Sequence, residues 1–186
     1  LHALSVADIL RFPGVVAQSE TDAEGLSAAV LGMLNHALKD FNASRAREGE
    51  KLAQHLLERL AQMRAIVDDL QAVFPSLVQA HLDKSEQRLR EAMATSEDDR
   101  IKQEFAIFMQ KADVDEEMSR LKGHITEVER IVTEGKGAVG KRLDFLMQEL
   151  NREANTLGSK AIAIECSNAS MQLKVLIEQM REQVQN

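Results

Sequence analysis

Tryptophan and tyrosine are absent from this sequence of 186 residues, while proline occurs only twice and glycine nine times. A β-sandwich or barrel needs many β-forming residues and many turns, so the shortage of aromatic residues and of turn formers argues against both. Leucine, alanine, glutamate, glutamine, lysine and arginine, which favour helices, are abundant. The composition therefore predicts an all-α fold.

Other absences exclude further classes of protein. The single cysteine, Cys166, excludes an intrachain disulfide framework and a cysteine-rich zinc site. No apolar run approaches the roughly 18 residues of a membrane-spanning helix, and no basic signal-peptide segment opens the chain. We therefore expect a cytoplasmic protein of bacterial type. The chain begins at Leu1 rather than Met, which suggests a fragment without its N-terminal part.

The formal net charge of −7 argues against a simple nucleic-acid clamp, because binding to a polyanion normally needs a basic surface. The charge is unevenly distributed. Between residues 136 and 160 the chain carries five cationic residues (Lys136, Lys141, Arg142, Arg152, Lys160) against three acids (Asp144, Glu149, Glu153). This window is locally basic within an acidic chain.

The apolar pattern predicts three regions: a tail or connector at 1–21, a long helical arm at 22–94 and a C-terminal helical domain at 95–186. In the tail, Ser5 can cap a short helix. The arm is expected to be one very long helix, or two end to end, as far as residue 73, with a new helix from Pro75. The expected architecture is a long helical arm or hairpin followed by a small bundle. Its helices are predicted at about 97–111, 113–134, 138–158 and 166–184.

The predicted helix 113–134 combines an apolar stripe, from Val114 to Val132, with a polar face beside it. Acids and a histidine at these spacings can converge along a cleft, and such ligands suit Mg²⁺ or Mn²⁺. A solvated acidic face near a helix N-terminus would show the same pattern, so spacing alone leaves both interpretations open. The polar face consists of Asp113, Glu116, Glu117, Arg120, His124 and Glu127.

The predicted helix 138–158 also pairs a core stripe with polar flanks. Its arginines can hold phosphates, and its amide side chains can hydrogen-bond to sugars or base edges. The charged residues could instead form ion pairs within the helix, as in Glu149–Arg152–Glu153, and such pairs would account for the same pattern without any RNA. Phe145, beside the basic flank, is a candidate for base stacking, although a phenylalanine at such a place more often belongs to a core.

Four segments carry a resemblance to a known family: Ile9–Val15, Asp113–His124, Gly137–Lys160 and Leu173–Asn186. Their sequences resemble the bacterial YicC/YloC family, and the run from 137 to 160 is the most specific of them. The resemblance implies a metal-dependent endoribonuclease that prefers single-stranded RNA and acts in the cytoplasm as a homo-oligomer, a hexamer in the full-length protein. It also implies that roughly the first hundred residues, a mixed α/β region, are absent here. No membrane partner and no specificity for DNA are expected.

The resemblance implies roles for the residues of both polar faces. Carboxylates from the two helices would hold a divalent ion, Mn²⁺ or Mg²⁺, and arginine or lysine would hold the RNA backbone. His124 is either a metal ligand or a general acid/base, and both roles remain open. A non-catalytic RNA-binding adaptor and a structural helical scaffold are the alternatives to a nuclease. The expected metal ligands are Asp113, Glu116, Glu117, His124, Glu149 and Glu153; the expected catalytic residues are His124, Glu149 and Arg120; the expected RNA-binding residues are Lys141, Arg142, Gln148, Arg152, Asn155 and Lys160.

Overall fold

A computed structural model describes residues 3–16, 22–92, 103 and 114–185. The described residues form helices joined by short connections and contain no strand, so the all-α prediction is confirmed. A long helix is followed by shorter ones, as expected. The predicted helix 97–111 lies outside the described residues apart from Gln103, and so does the predicted boundary near 95. The helices are α1 (Val6–Leu10), α2 (Ala23–Ala92), α3 (Asp115–Glu134), α4 (Gly140–Ser159) and α5 (Ile164–Gln185).

By their contacts the residues divide into two compact units, Leu1–Glu48 and Gly49–Asn186. In the first unit Ser5 caps α1: its hydroxyl accepts from the Asp8 N–H at 3.2 Å, and the Asp8 carboxylate accepts from the Ser5 N–H at 3.0 Å. This reciprocal capping satisfies two backbone donors at the start of the helix. The apolar residues of α2 in this unit, including Leu26, Val30 and Leu34, are exposed.

The second unit has its core between the later part of α2 and the helices α3, α4 and α5. An apolar stripe of α2 that runs from Leu56 to Phe74 is buried in this core. Leu56 and Leu60 of this stripe are 5% and 2% exposed. Both leucines are buried because they pack in the core of the second unit.

Pro75 lies inside α2, which runs without interruption from Ala23 to Ala92, so the predicted new start at this proline is wrong. A proline in a helix removes one backbone hydrogen bond and crowds the preceding turn. The pyrrolidine ring is exposed, whereas Phe74 is buried and Leu77 and Val78 pack against the core. The apolar face thus continues across the proline, and its burial offsets the cost of the lost bond.

The shorter helices bury the stripes that the sequence predicted. Met118, Leu121 and Ile125 of α3 are buried, as are Met147 and Leu150 of α4. The bounds of these helices lie within two residues of the predicted ones. Cys166 is buried in the same core. No helix among the described residues is long and apolar enough to cross a membrane.

Candidate metal and RNA site

Charged pairs join α3 to α4 and to Lys160, the residue that follows α4. Glu117 contacts Lys160 at 2.9 Å, Arg120 contacts Glu153 at 3.5 Å, and Glu127 contacts Arg142 at 2.5 Å. Residue numbers rise along α3 as they fall along α4, so the two helices are antiparallel. Between the Arg120 and Glu127 pairs, the histidine of α3 faces acids of α4.

His124, Glu149 and Glu153 form this central cluster. Each offers one ligand atom, a ring nitrogen or a carboxylate oxygen, and these atoms lie within 4.8 Å of one another. Ligands on opposite sides of Mg²⁺ are about 4.2 Å apart, because each metal–oxygen bond is about 2.1 Å long. The spacing of the cluster is therefore of the right order for a divalent ion, and two carboxylates with one imidazole suit Mn²⁺ as well.

The electrostatics of the cluster differ from those of the flanking pairs. Among the described residues, no basic side chain forms an ion pair with Glu149. Glu153 is 4% exposed and has Arg120 at 3.5 Å, but Arg120 also contacts Glu116 at 2.5 Å. The negative charge of Glu116, and to a smaller extent that of Glu153, raises the pKa of Arg120, so the guanidinium stays cationic. One shared cation leaves the cluster rich in negative charge.

The remaining predicted metal ligands lie elsewhere. Glu116 is exposed and pairs with Arg120. Glu117 is 6% exposed; one of its carboxylate oxygens contacts Lys160, while the other is buried without a hydrogen-bond partner. Asp113 lies outside the described residues. The structure thus brings together three of the six predicted ligands, and ion pairing accounts for Glu116 and Glu117.

The predicted RNA-binding residues also separate into three groups. Lys141 and Arg152 are exposed, and neither forms an ion pair or side-chain hydrogen bond with a described residue. Arg142 and Lys160 are engaged by Glu127 and Glu117. The amides are held within α4: Gln148 donates to Asp144 at 3.0 Å, and Asn155 donates to Asn151 at 2.7 Å.

Glu127 is a strong partner in this surface. It accepts two hydrogen bonds from Arg130, each at 2.8 Å, besides its contact with Arg142. The hydrogen bonds from Arg130, together with the charges of Arg130 and Arg142, lower the pKa of Glu127. The paired Glu127 leaves Arg142 less available to an RNA phosphate than Arg152.

Phe145 is 58% exposed on α4, so it does not belong to the core. With Lys141, Gln148, Arg152 and Asn155 it forms one exposed face of α4, which we call the outer ridge. Sequence reasoning left the place of Phe145 open, although a signal was present. The spacings of four, three, four and three residues along the ridge put Phe145 on the same face as residues that no core would bury.

The chain matches two models of one protein family. The family model described as "Endoribonuclease YicC-like, C-terminal" matches residues 70–186, and that described as "Endoribonuclease YicC-like, N-terminal region" matches residues 1–54. Two curated relatives are both named "Probable endoribonuclease YicC". The one from Haemophilus influenzae is 42% identical over 183 residues, which is 98% of this chain and 63% of the relative. The one from Clostridioides difficile is 30% identical over 190 residues, 98% of this chain and 64% of the relative.

The chain therefore spans slightly less than two thirds of the length of these relatives. The matches confirm the resemblance that the four sequence segments indicated. On the strength of the C-terminal match, which covers more than half of the residues and includes both helices of the cluster, the chain belongs to the YicC-like endoribonuclease family.

Proposed function

We propose that this chain carries the catalytic part of a metal-dependent endoribonuclease that cleaves single-stranded RNA in the cytoplasm. The observation that carries the proposal is the convergence of His124, Glu149 and Glu153 within 4.8 Å, with Glu149 left without a basic partner among the described residues. The names of the relatives support an endoribonuclease. A cluster of two carboxylates and an imidazole between flanking ion pairs has a cation as its natural occupant.

His124, Glu149 and Glu153 would hold the ion, Mn²⁺ or Mg²⁺. When bound, such an ion lowers the pKa of a water molecule and neutralises charge at a phosphate. Arg120 orients Glu153 and, as a permanent cation beside the cluster, can stabilise negative charge on the scissile phosphate. His124 either completes the ligand set or transfers a proton to or from a reacting oxygen.

RNA would be held by the exposed cations of the outer ridge. Lys141 and Arg152 lie on either side of Glu149 along α4 and have no acidic partner among the described residues. Phosphate contacts that are few and confined to this face do not require a basic protein. RNA binding is therefore compatible with a net charge of −7. Arg142 and Lys160 would contribute chiefly to the alignment of α3 and α4 through their pairs with Glu127 and Glu117.

The test compares Glu149→Gln with Glu165→Gln, a matched change at an exposed acid on α5. The purified protein is incubated with labelled single-stranded RNA in Mn²⁺, in Mg²⁺ and in EDTA, and Mn²⁺ binding is measured separately by electron paramagnetic resonance. We expect EDTA to abolish cleavage, and Glu149→Gln to lower both Mn²⁺ affinity and activity at least tenfold, because it removes charge without changing size. Glu165→Gln should behave like the unmodified protein.

Three outcomes would contradict the proposal. Retained Mn²⁺ binding and cleavage in Glu149→Gln would show that the cluster is only part of the ion-pair surface. RNA binding without cleavage under any metal condition would favour the adaptor, whereas no RNA binding at all would favour the scaffold.

We further propose that the protein acts as a homo-oligomer, a hexamer when full-length. The exposed Leu26, Val30 and Leu34 recur on one face of α2 in the first unit, and such a row is typical of helices that pack against a partner. Light scattering at micromolar concentration tests this, with Val30→Lys as a variant that should weaken the assembly. A strictly monomeric species for the unmodified protein, or an oligomer that Val30→Lys leaves unchanged, would contradict the role of this row.

A further inference from the structure

We propose that Phe145 is a stacking platform for one base of single-stranded RNA, next to the site of cleavage. The inference deepens the proposed function and rests on it for the identity of the substrate. It begins from the exposure of an aromatic ring: Phe145 is 58% exposed, whereas Leu143, Leu146, Met147 and Leu150 around it are all buried.

The outer ridge places this ring beside the cluster. Phe145 precedes Glu149 by one helical turn, which is about 6 Å along the axis, and Arg152 follows Glu149 by about 4.5 Å. Phe145 and Arg152 are seven residues apart and so share one face of α4. A nucleotide that stacks on the ring would therefore have its neighbouring phosphates within reach of both the cluster and Arg152.

The charge around the ring fits a nucleic-acid strand. Lys141, one turn before Phe145, and Arg152, two turns after it, are unpaired among the described residues. The acid next to the ring, Asp144, accepts a hydrogen bond from Gln148 at 3.0 Å and one from Gln185 at 3.0 Å, and Arg181 lies 3.7 Å away. An aromatic ring between two available cations is the arrangement by which proteins hold single strands, with bases on rings and phosphates on cations.

The same arrangement discriminates between strands. In a duplex the faces of the bases are covered by their neighbours, so a side chain cannot stack on them without unstacking the helix. A ring on an exposed helical ridge can stack only on a base whose face is free. Phe145 would thus contribute to the preference for single-stranded RNA, which the charge of the ridge alone cannot provide.

The experiment measures binding in EDTA, so that it does not depend on cleavage. The purified protein is titrated into a short single-stranded RNA that carries 2-aminopurine, a base analogue whose fluorescence is quenched by stacking, and into a duplex of the same sequence. The variants are Phe145→Leu, which keeps an apolar side chain but removes the ring, Phe145→Trp, which keeps a ring, and Phe12→Leu. Phe12 is a matched control because it is 59% exposed and belongs to the first unit.

We expect Phe145→Leu to weaken single-strand binding about fivefold or more and to reduce the quenching, since one stacked base contributes about 1–3 kcal/mol. Phe145→Trp should retain both signals, Phe12→Leu should change neither, and duplex affinity should be the same in all. Helical circular dichroism should not change, because the ring is exposed.

Unchanged affinity and quenching in Phe145→Leu would overturn the inference, as would the absence of single-strand binding by the unmodified protein. A change of oligomeric state in Phe145→Leu, seen by light scattering, would assign the ring to a subunit contact instead and would also overturn it. If the stacking signals appear but no metal supports cleavage, the inference stands and the proposed nuclease activity fails.

Discussion

A ring nitrogen of His124 lies within 4.8 Å of a carboxylate oxygen of Glu149, although the two residues belong to different helices. Neighbouring residues of α3 and α4 form cation–acid pairs, whereas this position places an imidazole opposite an acid with no basic partner among the described residues. The difference sets His124 and Glu149 apart from the ion pairs on either side of them.

Replacing His124 by alanine tests its role. We expect single-turnover cleavage to fall by about 10²–10⁴-fold if the imidazole transfers a proton, with RNA affinity nearly unchanged because the ring is not on the outer ridge. A titration with Mn²⁺ separates the two roles: added Mn²⁺ restores the rate if His124 is only a ligand and does not if it transfers a proton. Cleavage at the normal rate in His124→Ala would remove this residue from the site.

Replacing Lys160 by methionine tests its ion pair with the buried carboxylate of Glu117. Glu117 is 6% exposed and would lose its ion pair in a buried position, so we expect the free energy of unfolding to fall by about 1–3 kcal/mol. Urea denaturation measures the loss. Lys174→Met, a change at an exposed lysine of α5, is the control and should have little effect. Equal stability of the two variants would show that Glu117 is not held by Lys160.

Arg152 and Arg142 form a matched pair for RNA binding. Arg152 is unpaired among the described residues, whereas Arg142 contacts Glu127 at 2.5 Å. We expect Arg152→Ala to weaken binding to all RNA sequences alike and to reduce the slope of affinity against salt by about one, as a lost phosphate contact does. Arg142→Ala should change the slope less. Titrations of fluorescent single-stranded RNA at several salt concentrations measure the two slopes. A larger change of slope in Arg142→Ala than in Arg152→Ala would contradict the role of Arg152 as a phosphate contact.

The lowered pKa of Glu127 predicts a dependence of stability on pH. Hydrogen bonds from Arg130, and the charges of Arg130 and Arg142, favour the ionised carboxylate in the folded state. Its contribution to stability is therefore complete at neutral pH, above the ordinary pKa of the carboxyl, and is lost as the pH falls through the lower pKa of the folded state. Glu127→Gln should be slightly less stable than the unmodified protein at pH 7, and thermal unfolding should show the difference vanishing at acid pH. A difference independent of pH would point to lost packing instead.

Much of the fold follows from the apolar period alone. The stripes of α3 and α4 recur every three to four residues, and the segment with Gly135 and Gly137 separates these two helices, so their bounds were predicted closely. Pro75 shows where local rules fail. The free-energy cost of a proline in a helix is known from local rules. The burial of the side chains on either side of Pro75, which offsets this cost, depends on the other helices of the bundle.

The site was harder to predict for a related reason. Periodicity assigns Glu116, Glu117 and His124 to one polar face, yet which of them meets an acid of α4, or Lys160 just after it, depends on how the two helices are aligned. That alignment is a property of tertiary packing. The exposure of Phe145 could have been inferred from its spacing, whereas the separation of the cluster from the ion pairs could not.

The ion pairs Glu117–Lys160 and Glu127–Arg142, on either side of the cluster, have a consequence for how mutational scans are interpreted. Sliding α4 by one turn along α3 would break Glu117–Lys160 and Glu127–Arg142 together and would carry Glu149 away from His124. These end pairs thus oppose a slip in register, and a substitution there would disturb the proposed site without altering His124, Glu149 or Glu153. A screen that scores activity alone would classify such residues as catalytic, and only a structural readout of helix register would correct the assignment.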